Sequence, residues 1–161
     1  MTDARRRLTT ALVAGACLLA PRPAHADVTA FWGLTPAPKS HAVRGFSLGI
    51  NLLVVGFEGE FTTRSEHPTD GTPGFAMGML NGLVQTPTSK TQLYLTAGGG
   101  FYRERLGTQS ETNFGTNIGG GLKLGLAGPL RLRIDYRAFT LRGAPRVTTP
   151  QRLYAGLNLA F

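Results

Sequence analysis

The stretch from Leu153 to Phe161 places the tightest limits on what this 161-residue chain can fold into. Read as a strand, it puts Leu153, Ala155, Leu157, Leu159 and Phe161 on one face and Tyr154, Gly156, Asn158 and Ala160 on the other. An alternating segment of about ten residues that ends on an aromatic suits a strand crossing a thin bilayer, with lipid on one side and a polar lumen on the other. A half-buried strand of a soluble sheet alternates too. The opposite end of the chain discriminates between them.

Residues 1–26 read as an export signal. Arg5, Arg6 and Arg7 form a basic start, Leu8 to Ala20 an apolar run, and Pro21 and Pro23 break any helix. Ala24-His25-Ala26 then supplies a small-x-small cleavage pattern, so cleavage is expected after Ala26, leaving Asp27 first. The apolar run falls short of the ~20 residues that would anchor permanently as a helix. Lipidation of Cys17 is the competing reading, but Ala14-Gly15-Ala16 lacks the Leu usual three positions ahead of a lipidated cysteine. Cys17 is the sole cysteine, so a processed chain has no disulfide and no thiol chemistry.

Residues 27–161 then form one domain. No later run approaches the ~18 consecutive apolar residues of a membrane helix. The net charge of +8 resides partly in the leader arginines, and the remaining arginines are scattered or alternate with apolar residues. Nucleic acid is therefore not an expected partner, since no basic patch with stacking aromatics forms.

Period-two reading yields eight strands: Val28 to Leu34, Val43 to Leu52, Val54 to Arg64, Gly74 to Gln85, Gln92 to Glu104, Asn113 to Leu126, Leu130 to Leu141 and Gln151 to Phe161. Long turn-rich links are expected after the odd strands, at 35–41, 65–73, 106–112 and 142–150, with shorter ones after the even strands, such as 86–90 and 127–129. This alternation, with an even count, is that of an outer-membrane barrel with its termini on the periplasmic side. Strands two, five and six assign their faces clearly, with Phe46, Leu48, Ile50, Leu93, Leu95, Phe101, Phe114, Ile118 and Leu122 outward. The first and fourth strands leave their faces open.

Strand seven is the sharpest. Leu130, Leu132, Ile134, Tyr136 and Ala138 alternate with Arg131, Arg133, Asp135 and Arg137. Strand three answers with Val55, Phe57, Gly59 and Phe61 against Glu58 and Glu60. Charged rows of opposite sign point to a shared, confined polar interior. Eight strands leave a lumen that side chains can fill, and buried charges there must pair. Glu58 and Glu60 are thus expected to pair with some of Arg131, Arg133 and Arg137.

These features together resemble the small OmpA/OmpX/Opa-like outer-membrane β-barrel family, over the whole region after the leader. The segments Gly56 to Glu60 and Arg133 to Arg137 look like strands of such proteins. The family's terminal assembly signal runs polar, any, Gly, any, any, aromatic, any, aromatic. Tyr154, Gly156, Leu159 and Phe161 occupy those positions, with Leu159 where an aromatic is preferred. The resemblance implies an antiparallel up-and-down transmembrane barrel in the cell outer membrane. Its implied partners are outer-membrane lipids and, during assembly, the barrel-insertion machinery and periplasmic chaperones.

Candidate chemistry is sparse. The glycine runs at 98–100 and 119–121 lack the Lys-Ser/Thr of a phosphate-binding loop. They suit space-making beside Tyr94, Tyr102 and Arg137. Ser65, Glu66 and His67, with His41, suggest a hydrolase site, but a Pro/Gly-rich loop preorganises poorly. No catalytic, cofactor-binding or metal residues are assigned, because His41 and His67 lie in different loops without paired ligand spacing. No small-molecule ligand is assigned either. The expected role is non-enzymatic, structural or interactive. A small pore or transporter is the alternative, followed by a lipid-modifying barrel enzyme and a periplasmic lipocalin-like carrier.

Overall fold

A computed structural model describes residues 25–35, 40–66, 71–87, 89–145 and 147–161. Residues 1–24, including Cys17 and Ala24, and His67 lie outside these. Eight strands form one closed antiparallel barrel in sequence order: β1 (His25–Thr35), β2 (His41–Leu52), β3 (Val55–Arg64), β4 (Gly74–Gln85), β5 (Thr91–Leu106), β6 (Gln109–Ala127), β7 (Leu130–Leu141) and β8 (Gln151–Ala160). Closure is by β1 against β8, from Asp27 opposite Ala160 to Leu34 opposite Leu153. Beyond that ladder, Ala26 and Phe161 exchange backbone hydrogen bonds of 2.8 and 2.9 Å. A closed ring leaves no open sheet edge, which is what lipid demands of any spanning sheet.

The apolar rows point outward. Leu80 is 76% exposed, Leu95 71% and Phe57 61%, whereas Arg133, Asp135 and Arg137 are fully enclosed. This inverts a soluble barrel and follows directly from the alternation of the sequence. The two unassigned strands are now assigned. On β4, Met77, Met79, Asn81, Leu83 and Gln85 face inward and Gly78, Leu80, Gly82 and Val84 outward. On β1 the inner row is Asp27, Thr29, Phe31, Gly33 and Thr35.

One link differs from expectation. The polar stretch 106–112 is not a long loop, because β5 and β6 continue as a ribbon to a two-residue turn at Gly107 and Thr108. Gly107 takes φ +60, which glycine alone adopts without cost. Cross-strand contacts hold the ribbon, including Arg103 Nε donating to Thr112 Oγ1 at 3.1 Å. Its polarity reflects solvent on both faces rather than absence of structure. β5 and β6 thereby reach 16 and 19 residues, well past the ~9–11 that cross a bilayer. At the opposite end, β2 and β3 join through Leu53 and Val54, and Leu53 sits at φ 55.

Candidate functional site

β3 and β7 are four places apart in an eight-membered ring and so face each other across the lumen. Their charged rows meet there. Arg133 is held by Glu58 through Nη1, with its Nη2 3.2 Å from Glu58 Oε1. Arg137 Nη2 donates to Glu58 Oε1 at 2.9 Å, and its Nε donates to Asp135 Oδ1 at 3.0 Å. Asp135 also accepts from Tyr94 Oη at 2.5 Å. Arg137 Nη1 lies 3.1 Å from Glu60 Oε2, a charge contact that lacks hydrogen-bond alignment. The layer is completed from β8 by Arg152, whose Nη2 is 2.7 Å from Glu60 Oε1 and whose Nη1 donates to Thr62 Oγ1 at 2.7 Å.

Glu58, Glu60 and Asp135 thus balance Arg133, Arg137 and Arg152. This neutrality matters, since each uncompensated ion in such surroundings costs several kcal/mol. Aromatic faces add to the enclosure. The Arg133 guanidinium stands 4.7 Å from the Tyr94 ring centre and 5.7 Å from that of Tyr154. Arg152 lies 5.0–5.1 Å from the rings of Phe31, Phe139 and Tyr154. Nearer the termini, Lys123 Nζ pairs with Asp27 Oδ2 at 2.6 Å, an oxygen that Asn51 also reaches at 2.9 Å.

Of the expected lumen charges, Glu58, Glu60, Arg133, Asp135 and Arg137 come together. Arg131 does not pair with either glutamate. Two residues along a strand is about 7 Å, which leaves Arg131 below the cluster, and its Nη1 donates to Gln92 Oε1 at 3.1 Å instead. Sequence reasoning missed Arg152 and the Asp27–Lys123 pair. The signal for Arg152 was present, as it shares the inner row of β8 with Tyr154, Gly156 and Asn158.

The proposed terminal signal divides between the faces. Tyr154 is buried in the lumen, stacked on Phe31 with centroids 4.2 Å apart. Gly156 lies beneath that stack, where an added Cβ would come 2.8 Å from Phe31 Cβ. Leu159 and Phe161 point outward. Two glycines of the 119–121 run have comparable roles. A Cβ on Gly121 would meet Tyr94 Oη at 2.6 Å, and one on Gly119 would meet Arg137 Cγ at 2.8 Å. Tyr102 stacks on Phe75 and donates to the Arg142 carbonyl at 2.5 Å.

Above the ion-pair layer, towards the loop-bearing end, the lumen changes character. Met77, Met79, Tyr102, Phe139 and Leu141 form an apolar cluster with Phe75 against it. Beside it lies a cavity of about 330 Å³, bordered below by Thr62 and Arg152 and above by His41, Thr72 and Pro150. Of the imagined hydrolase residues, Glu66 accepts the Gly107 N–H at 2.7 Å, and His41 Nε2 lies 3.3 Å from Thr72 Oγ1.

No protein-family profile matches the sequence, and no curated protein matches it either. Solved structures do match. The N-terminal β-barrel domain of Pseudomonas aeruginosa OprF aligns over 85% of this chain and 97% of its own, with TM-score 0.68 and 16% identity. Neisserial surface protein A aligns over 86% and 96%, with TM-score 0.60 and 18% identity. Ail, the attachment invasion locus protein of Yersinia pestis, aligns over 87% and 100%, with TM-score 0.59 and 15% identity. The outer membrane enzyme PagL shares the fold at TM-score 0.52 and 16% identity, over 83% of this chain and 98% of its own. At these identities the likeness establishes the fold: a small eight-stranded barrel of the outer-membrane, OmpA/OmpX/Opa-like type.

Proposed function

We propose that this chain is an integral outer-membrane protein, non-enzymatic, with a lumen closed to ions and a structural or interaction role at the cell surface. The observation that carries it is the inverted barrel with opposite-sign charges meeting across its diameter. An exposed row that includes Leu80, Leu95 and Phe57 suits hydrocarbon and opposes a lipocalin-like carrier, whose apolar row would face inward. The Glu58–Arg133–Arg137 contacts bridge opposite walls and occupy the width an ion would need. That speaks against the pore alternative. The PagL likeness keeps a lipid-modifying enzyme as the second reading, although catalysis belongs to sites and not to folds.

In this account the leader is cleaved after Ala26, and outer-membrane lipids surround the mature barrel. The insertion machinery reads Tyr154, Gly156, Leu159 and Phe161 after periplasmic chaperones deliver the chain. Leu159 and Phe161 are exposed for such reading, while Tyr154 and Gly156 also build the inner stack. The test combines membrane fractionation with planar-bilayer recording. Recovery in the outer membrane with no conductance steps is expected. A soluble periplasmic protein, or sustained steps, would overturn the reading. Lipid A of unchanged mass on overexpression separates this role from the enzymatic one. N-terminal sequencing should begin at Asp27; a lipid-modified Cys17 would make the protein a lipoprotein.

A further inference from the structure

The cavity above the ion-pair layer has features that packing alone does not require. Val43, Phe75, Met77, Phe139 and Leu141 give it an apolar wall drawn from β2, β4 and β7. At about 330 Å³ it falls at the lower end of volumes that hold small ligands, roughly 300–1,000 Å³. Two guanidinium groups border it. Arg152, only 2% exposed, stands at the floor, and Arg64 at the side donates through Nη2 to the Pro73 carbonyl at 3.0 Å. The Nε of each is buried and has no hydrogen-bond partner among the described residues. Buried donors are normally satisfied, so both guanidiniums keep unmet donor capacity at the edge of this space. Methionine and aromatic walls adapt to varied apolar shapes.

We propose that this cavity binds a small amphipathic carboxylate, with its apolar body against Phe75, Met77, Phe139 and Leu141 and its carboxylate on the Arg64 and Arg152 side. Charge-assisted hydrogen bonds to a guanidinium exceed those to a neutral acceptor, which favours the acid over the matching alcohol. Glu104 also borders the space. The inference rests on the closed floor proposed above, because an open lumen would leave no enclosed end.

The barrel itself provides the reporter, for Met77 and Met79 are its only methionines beyond Met1. The barrel is placed in lipid nanodiscs, avoiding detergent that would compete for an apolar space, and its methionine methyls are labelled with carbon-13. Titration with 4-phenylbutyrate should shift the Met77 methyl saturably, with 4-phenylbutanol binding about tenfold more weakly. Arg64→Met should weaken the acid about tenfold while Arg64→Lys restores most of the affinity. Should Arg64→Met fail to fold by heat-modifiable gel mobility, Val43→Phe, which fills the space from another wall, must abolish the shift. No saturable shift, or equal binding of acid and alcohol, overturns the proposal. Loss of the shift together with channel conductance would overturn the closed-floor reading as well; loss without conductance overturns this inference alone.

Discussion

At the waist of the lumen, Arg133 and Arg137 are enclosed by three carboxylates and two tyrosines, while a few residues further along the same strand Phe139 and Leu141 border an unfilled apolar space. Both regions are interior, and both were made by the same alternation. They differ in what holds them. The waist depends on complementary charge at fixed register, so every member needs the others. The upper region depends on apolar burial, which tolerates rearrangement and leaves room. The barrel thus concentrates specificity in its middle and adaptability near its loops.

Removing one partner at the waist should give the largest effect. Glu58→Ala leaves Arg133 and Arg137 short of a carboxylate and should destabilise by ~3–5 kcal/mol in denaturant unfolding. Replacing Glu58 and Arg133 together by Met should cost less than Glu58→Ala, since no lone ion remains. A loss below about 1 kcal/mol for Glu58→Ala would place these charges in water and erase the distinction between the two regions. In the upper region, Leu141→Ala should cost about 2 kcal/mol, the low end for such truncations, because a cavity already adjoins it. If Leu141→Ala proves as costly as Glu58→Ala, the upper region is as tightly specified as the waist.

The terminal strand sharpens the comparison in another way. Phe161 and Phe57 are both outward rings, 67% and 61% exposed. Burial in lipid gives each at most ~1.5–3 kcal/mol. Deleting Phe161 should nevertheless collapse outer-membrane levels, measured by immunoblot of membrane fractions, while Phe57→Ala lowers them modestly. Equal, mild losses would mean that β8 carries no assembly signal. The smallest effect is expected at the β2–β3 turn, where Leu53 occupies the left-handed region at φ 55. Leu53→Gly should stabilise by up to about 1 kcal/mol, as relief of backbone strain slightly exceeds the added entropy of the unfolded glycine. A destabilised variant would show that the Leu53 side chain contributes more at the membrane boundary than its backbone costs.

Much of this architecture was legible in the sequence because an inside-out barrel enforces period two so strictly. β3 and β7 announced themselves, their inner rows being charged and their outer rows apolar. β4 did not, since Met77 and Met79 face an interior that is itself apolar at the loop-bearing end, and Leu83 adds an apolar side chain to the inner row near the other, leaving little contrast with Leu80 and Val84. Arg152 was missed for a different reason. Its pairing with Glu60 joins β8 to β3 and depends on the stagger of the closed ring, which no single strand encodes. Asp27 and Lys123 are likewise distant in sequence and meet only on closure. The ribbon at 106–112 was read as a loop because solvated strands and loops share their polar composition. The cavity has no linear signature at all, as its wall is assembled from β2, β4 and β7.

Everything above depends on the barrel being inside-out, and lipid accessibility measures that directly. Single cysteines at Phe57, Leu80, Ile134 and Tyr136 can carry spin labels without disturbing the lumen, because all four side chains point outward. In lipid bilayers these labels should collide readily with oxygen, which concentrates in hydrocarbon, and rarely with a water-soluble nickel chelate. Labels at Thr108 and Ser110, in the ribbon beyond the bilayer, should show the reverse. Preferential collision with the nickel chelate at Phe57, Leu80, Ile134 and Tyr136 would put the apolar rows in water and contradict the account at its root.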